Sequence, residues 1–261
     1  MKPHNHRLAL LSHAIMIVVA AACSASCTTF NNARPLAPGE HAAMLTVGGP
    51  ITGIPGVGEI PLPNATLEGR SGVVDHLDVN YGIHMLPTLF GAVGGHAGAT
   101  FQLYDEPNPW VPVTSIGQRF FFFTNILDPR KVEKDAYALS QTDLTISWKL
   151  WESLLYTGVS AYVPIDVDVR TLHLAPVVGV EVHPGIDWLR VQLEGRWLSP
   201  TTDQRFAVVN WRSPGDLGAI SVNVGVAVEV SELFSVIVND GKAAPEEASS
   251  SSESAAQEVA P

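Results

Sequence analysis

The stretch Ile220-Ser221-Val222-Asn223-Val224-Gly225-Val226-Ala227-Val228-Glu229-Val230 decides the fold. A branched apolar residue stands at every even position and a small or polar residue at every odd one. Side chains alternate across a strand with a period of two, so this stretch is a β-strand with one apolar face and one polar face. The same period recurs upstream. Leu77, Val79, Tyr81, Ile83 and Met85 oppose Asp78, Asn80, Gly82 and His84; Leu144, Ile146, Trp148 and Leu150 oppose Asp143, Thr145, Ser147 and Lys149; Leu189, Val191 and Leu193 oppose Arg190, Gln192, Glu194 and Arg196. No segment of the body carries a 3.6-residue period.

Alternation places ten strands, near 41–50, 62–72, 76–86, 91–104, 112–124, 139–149, 153–164, 171–183, 187–198 and 217–230. Most reach the roughly 9 to 11 residues that a tilted strand needs to cross a bilayer. Gln204 to Arg212 is open as a further short strand, and Phe120 to Phe123 is apolar on both faces, so its facing is unassigned. Tight connections at Val73–Asp75, Trp151–Glu152 and Pro184–Ile186 share one rim, and long ones at Ile51–Pro61, Asn125–Ala138 and Ser199–Gly218 share the other. Two depart from this rule: Pro87–Phe90 is short for its rim and Asp105–Val111 is long. The expected fold is all-β, an antiparallel up-and-down β-barrel of about ten strands with both chain ends on the short-turn rim.

The polar face distinguishes a membrane barrel from a soluble one, because the two bury opposite faces. Thr145, Ser147, Ala175, Gly179, Ser221, Asn223 and Gly225 are small, as the crowded lumen of a narrow barrel requires. Charges on that face are of mixed sign (Glu68, Arg70, Lys149, Glu181, Arg190, Glu194, Arg196 and Glu229), a set able to pair across a lumen. Only 16% of all residues are charged, against the 25 to 35% or so of a solvated surface.

The 261 residues carry a formal charge of -11, with 15 Lys and Arg against 26 acids, which excludes a nucleic-acid partner. Residues 1–22 join Lys2 and Arg7 to an apolar run and then Ala20-Ala21-Ala22, the build of a secretory signal. Apolar run, small residues and then Cys23 resemble the lipobox of bacterial lipoproteins. The resemblance implies cleavage before Cys23 and a diacylglycerol on its thiol, with Cys27 as the second candidate, and Ser24 after Cys23 points to the outer membrane. Cys23 and Cys27 are the only cysteines, so the body holds itself without disulfides.

The hairpin Asn64–Met85, with Asp75-His76-Leu77-Asp78 at its turn, and the hairpin around His183-Pro184-Gly185-Ile186-Asp187 resemble those of bacterial outer-membrane β-barrel proteins. The organisation expected is a signal peptide at 1–22, an anchor linker at 23–40, the barrel at 41–240 and a disordered Ser/Ala/Glu-rich tail at 241–261. The resemblance implies a Gram-negative outer-membrane location and membrane lipid as the partner.

Nucleophile elbow, phosphate loop and paired-histidine zinc motifs are absent from the sequence, so no cofactor and no metal are expected. His173, Glu181 and His183 share one strand face, with Ser160 on the neighbouring strand as a conceivable hydroxyl. No group orients them, and the expectation is that none is catalytic. The function expected is therefore non-enzymatic, structural or small-solute passage in a lipid-anchored outer-membrane barrel. The alternative is a soluble periplasmic lipoprotein, a calycin-like barrel that holds an apolar ligand.

Overall fold

The computed structural model describes residues 29–54, 58–61, 64–89, 91–106, 108, 110–125, 136–165, 172–186, 188–203 and 211–231. The signal peptide, Cys23, Cys27 and the acidic tail 241–261 lie outside the described residues. The strands are β1 (His41–Ile54), β2 (Gly58–Pro61), β3 (Asn64–Val74), β4 (Leu77–His84), β5 (Ala92–Gln102), β6 (Val113–Asn125), β7 (Tyr137–Leu150), β8 (Ser153–Pro164), β9 (His173–Val182), β10 (Leu189–Asp203) and β11 (Leu217–Glu229).

From β3 onward each strand pairs antiparallel with the next, β3 pairs with β1 across β2, and β11 returns to β1 from Ala42↔Glu229 to Pro50↔Ser221. The result is a closed ten-stranded barrel with one extra strand. Closure leaves no unpaired sheet edge, the only way a sheet satisfies its main-chain groups in lipid. β2 lies outside the ring, folding back on the end of β1 at the long-loop rim with Ile51 opposite Pro61. There Trp211 bridges Thr52 and Arg212 pairs with Glu59 at 3.1 Å, so two long connections are tied together.

Sidedness is that of a membrane barrel. Leu193 and Val224 are each 48% exposed on the outside, whereas Glu194 is 0% and Arg196 2% exposed on the inside. Leu45, Val47, Leu67, Tyr81, Ile83, Phe101, Leu144 and Val226 continue the apolar exterior around the ring. An apolar surface of this extent is costly in water and suits hydrocarbon. The Phe120–Phe123 ambiguity resolves by alternation, with Phe120 and Phe122 outside and Phe121 and Phe123 buried in the lumen. Polar side chains that interrupt the belt are satisfied in place: the Gln118 amide donates to Ser140 Oγ at 2.8 Å and accepts from Thr142 Oγ1 at 2.7 Å, and Thr157 Oγ1 donates to the Val177 carbonyl at 2.8 Å. A soluble calycin-like barrel has the reverse arrangement, with its polar face outside.

Candidate functional site

Among the described residues, the two halves of the lumen are filled differently. In the half next to the long loops the wall supplies its own side chains. Phe121, Phe123, Leu139, Tyr162 and Ala175 form one buried cluster. His84 and His96 stack into its side, with ring centroids 5.2 Å from each other and 5.6 and 5.3 Å from Phe121. A polar row runs through the histidines: Thr66 Oγ1 lies 3.2 Å from His84 Nδ1, His84 Nε2 3.2 Å from His96 Nδ1, and His96 Nε2 3.4 Å from a Glu68 carboxylate oxygen. The groups follow one another along the wall and do not converge on a point; among the described residues no cluster of His, Cys, Asp and Glu has the geometry to hold a metal.

The half next to the short turns is occupied by residues 29–37, which lie within the stretch expected to link an anchor to the barrel. Thr29, Phe30, Asn31, Asn32, Ala33 and Leu36 are all buried. The chain runs from mid-barrel to the short-turn mouth, turns at 38–39 and enters β1. At its inner end the guanidinium of Arg119, six residues into β6, donates to Thr29 Oγ1 at 2.7 Å, and that of Arg196, seven into β10, donates to the Thr29 carbonyl.

The wall is cut to fit this segment. A Cβ at Gly225 would stand 2.2 Å from the Phe30 ring, and one at Gly72 1.9 Å from the Ala37 carbonyl oxygen. Both glycines therefore allow a close approach that any other residue would block. Ala33 packs with Leu154, Tyr156 and Val177.

Charge in this half is paired throughout the wall. Arg70 binds Asp78, Arg119 lies 3.6 Å from Asp143, and Arg196 Nε donates to Glu194 at 2.5 Å. Glu194 also accepts from Tyr156 Oη at 2.9 Å and from the Asn31 main-chain N–H at 3.0 Å. A buried ion needs such a full set of partners to offset its desolvation. Arg190 binds Glu229 and lies 3.4 Å from Glu181. Arg70, Glu181, Arg190, Glu194, Arg196 and Glu229 are all paired, but along one strand or between neighbouring strands rather than across the lumen, and Lys149 stays exposed at the mouth.

The connection between β5 and β6, too long for its rim, now has a reason. Glu106 within it reaches over the mouth to Arg34, with Nη1 2.7 Å from the carboxylate, while Arg34 Nε donates to Ser147 at 3.1 Å. The loop closes over the outer end of the segment.

Of the residues singled out from sequence, Glu181 and His183 come together at this mouth, lining a cavity of about 300 Å³ with Arg34, Lys149 and Arg190. His183 Nδ1 is engaged with the Glu152 carbonyl at 2.7 Å. His173 lies at the other end of β9, eight residues or about 27 Å away along the strand, beside Ser199 Oγ at 3.2 Å. Ser160 faces the lumen, fully buried, and its hydroxyl shares a hydrogen bond with the Asn31 amide at 3.4 Å. Sequence reasoning did not find residues 29–37, Arg119 or the His84–His96 pair.

No protein-family model matches the chain, and no curated protein matches it. Among solved structures, the translocator domain of autotransporter NalP from Neisseria meningitidis is similar, at 11% identity and a TM-score of 0.36 over 84% of this chain and 97% of that one.

Proposed function

We propose that this protein is an outer-membrane β-barrel closed at rest by its own residues 29–37, passing small hydrophilic solutes only when that segment withdraws. The observation that carries the reading is the seat of the segment. It fills a lumen whose wall has a notch at Gly225 for Phe30 and at Gly72 for Ala37, and it is joined to the barrel through a single exposed turn at 38–39. Charged and polar groups face inward beneath it, a surface that water can wet once the segment leaves. The barrel works without catalysis in this reading, a view supported by the distance between His173 and Glu181 and by the engagement of Ser160 with Asn31.

The short-turn rim is the periplasmic side, as in outer-membrane barrels generally. Lipidation at Cys23 belongs to the same proposal and is constrained by it. Six residues separate Cys23 from Thr29, a reach of at most about 21 Å, so a lipid on Cys23 and a seated segment coexist only if the lipid meets the bilayer within that distance of mid-lumen.

The test is conductance in planar bilayers. The intact chain should be silent, and Gly225→Phe, which fills the Phe30 notch, should open stepwise current. Silence of both, with Gly225→Phe folded by heat-modifiable migration and its segment 29–37 open to protease, would refute the reading.

A further inference from the structure

The wall holds residues 29–36 through main chain and side chains alike. Arg196 donates to the Thr29 carbonyl, Gln192 Nε2 to the Asn31 carbonyl at 3.3 Å, Ser115 Oγ to the Ala33 carbonyl at 2.9 Å and Arg70 to the Arg34 carbonyl at 2.7 Å. In the other direction Glu194 accepts the Asn31 N–H at 3.0 Å and Asp78 the Leu36 N–H at 3.3 Å. Six main-chain groups of one short segment are thus held by six side chains from β3, β4, β6 and β10. A carbonyl is common to all residues and an N–H to all but proline, so these six contacts by themselves select no sequence.

Side chains are held as well: Thr29 Oγ1 accepts from Arg119 at 2.7 Å, the Asn31 amide meets Ser160 Oγ at 3.4 Å and Arg196 at 3.2 Å, and Arg34 binds Ser147 and Glu106. Phe30 fills the Gly225 notch, Ala33 must be small to sit against Tyr156, and Asn32 makes no side-chain hydrogen bond to the protein. Helix and sheet normally satisfy a buried main chain internally; here an unpaired extended segment is satisfied by fixed wall groups, as in sites that bind extended peptides.

We propose that the short-turn half of the lumen is a binding site for an extended polypeptide segment, of which residues 29–37 are the resident occupant. The ligand class is a stretch of about eight residues with an aromatic side chain at the Phe30 position, a small one at the Ala33 position and wide tolerance at the Asn32 position. The proposal rests on the reading of residues 29–37 as a removable plug.

The test keeps the whole chain during folding. A protease site is inserted between Pro38 and Gly39 in a Cys23→Ser, Cys27→Ser background, and the protein is folded intact in detergent and then cut. Loss of the freed segment is followed by mass spectrometry and conductance. Binding of a fluorescent peptide of sequence 29–37 is followed by anisotropy. Competing peptides carry Ser in place of Asn32, Ala in place of Phe30, or an N-methyl group on Asn31.

The freed segment is expected to exchange, and the peptide with Ser at the Asn32 position to compete within about threefold of the native sequence. Ala at the Phe30 position, and N-methylation of Asn31, which removes the N–H that Glu194 accepts, should each weaken competition about tenfold or more. If the segment leaves and current rises but no peptide rebinds, or if the N-methyl peptide competes as well as the native one, the peptide site is refuted and the plug stands. If the cut segment never leaves and current never rises, the plug reading falls, and the peptide site with it.

Discussion

The two halves of the lumen are filled by different means. Near the long loops the filling is covalently part of the wall: Phe121, Phe123, Leu139 and Tyr162 pack together on the neighbouring strands β6, β7 and β8, along one side of the bore. Near the short turns the filling is a separate piece of chain, seated in glycine notches and held by side-chain hydrogen bonds. The first is packing of a hydrophobic kind and sets stability. The second is held by many polar contacts that water can replace and joins the barrel at 38–39. On the proposed function, the short-turn half is the place where the molecule changes state.

Three substitutions separate these roles. Phe121→Ala removes the centre of the upper filling and should cost about 3 to 5 kcal/mol of barrel stability, read from urea unfolding in detergent or liposomes. Current should stay absent, because residues 29–37 remain seated; a stable but conducting Phe121→Ala barrel would reverse the assignment of the gate.

Val224→Arg acts on neither half and tests the wall's outer face, where it should cost about 2 to 4 kcal/mol in a bilayer. A variant unaffected in liposomes would mean that this face does not meet lipid. The smallest effect is expected at Ser115→Ala, which removes the donor to the Ala33 carbonyl and should cost about 0.5 to 1.5 kcal/mol. Hydrogen exchange should accelerate in residues 29–37 while β6 and β7 keep their protection, whereas a uniform loss across the barrel would show that segment and wall unfold as one unit.

The fold was legible because one physical rule, side-chain alternation, operates along every strand. It placed all ten barrel strands and, through the small residues opposite Val222, Val224 and Val226, their facing as well. β2 escaped because four residues at Gly58–Pro61, Pro-bounded and half exposed, show no alternation. The lumenal segment escaped for a deeper reason. Thr29-Phe30-Asn31-Asn32-Ala33-Arg34-Pro35-Leu36 has no period, since its partners are side chains 36 to 167 positions away rather than a neighbouring strand. Its traces in the sequence were indirect: the Asp105–Val111 connection too long for its rim, and an inward-facing glycine at 225 amid a run of valines with nothing apparent for it to accommodate. The His84–His96 pair was hidden because each histidine reads as an ordinary polar-face residue until the β4–β5 register brings them side by side.

The most direct measurement of the central claim, that residues 29–37 occupy the lumen, is a disulfide trap across the Phe30 notch. Phe30→Cys and Gly225→Cys are combined in a Cys23→Ser, Cys27→Ser background. A Cβ at 225 would stand 2.2 Å from the Phe30 ring, beside the space that the ring vacates. Mild oxidation of the folded protein should link the two positions nearly completely, leave neither thiol open to a bulky maleimide, and lock the channel silent until reductant is added. Two free thiols that react rapidly with the maleimide in a folded, membrane-inserted barrel would contradict the account.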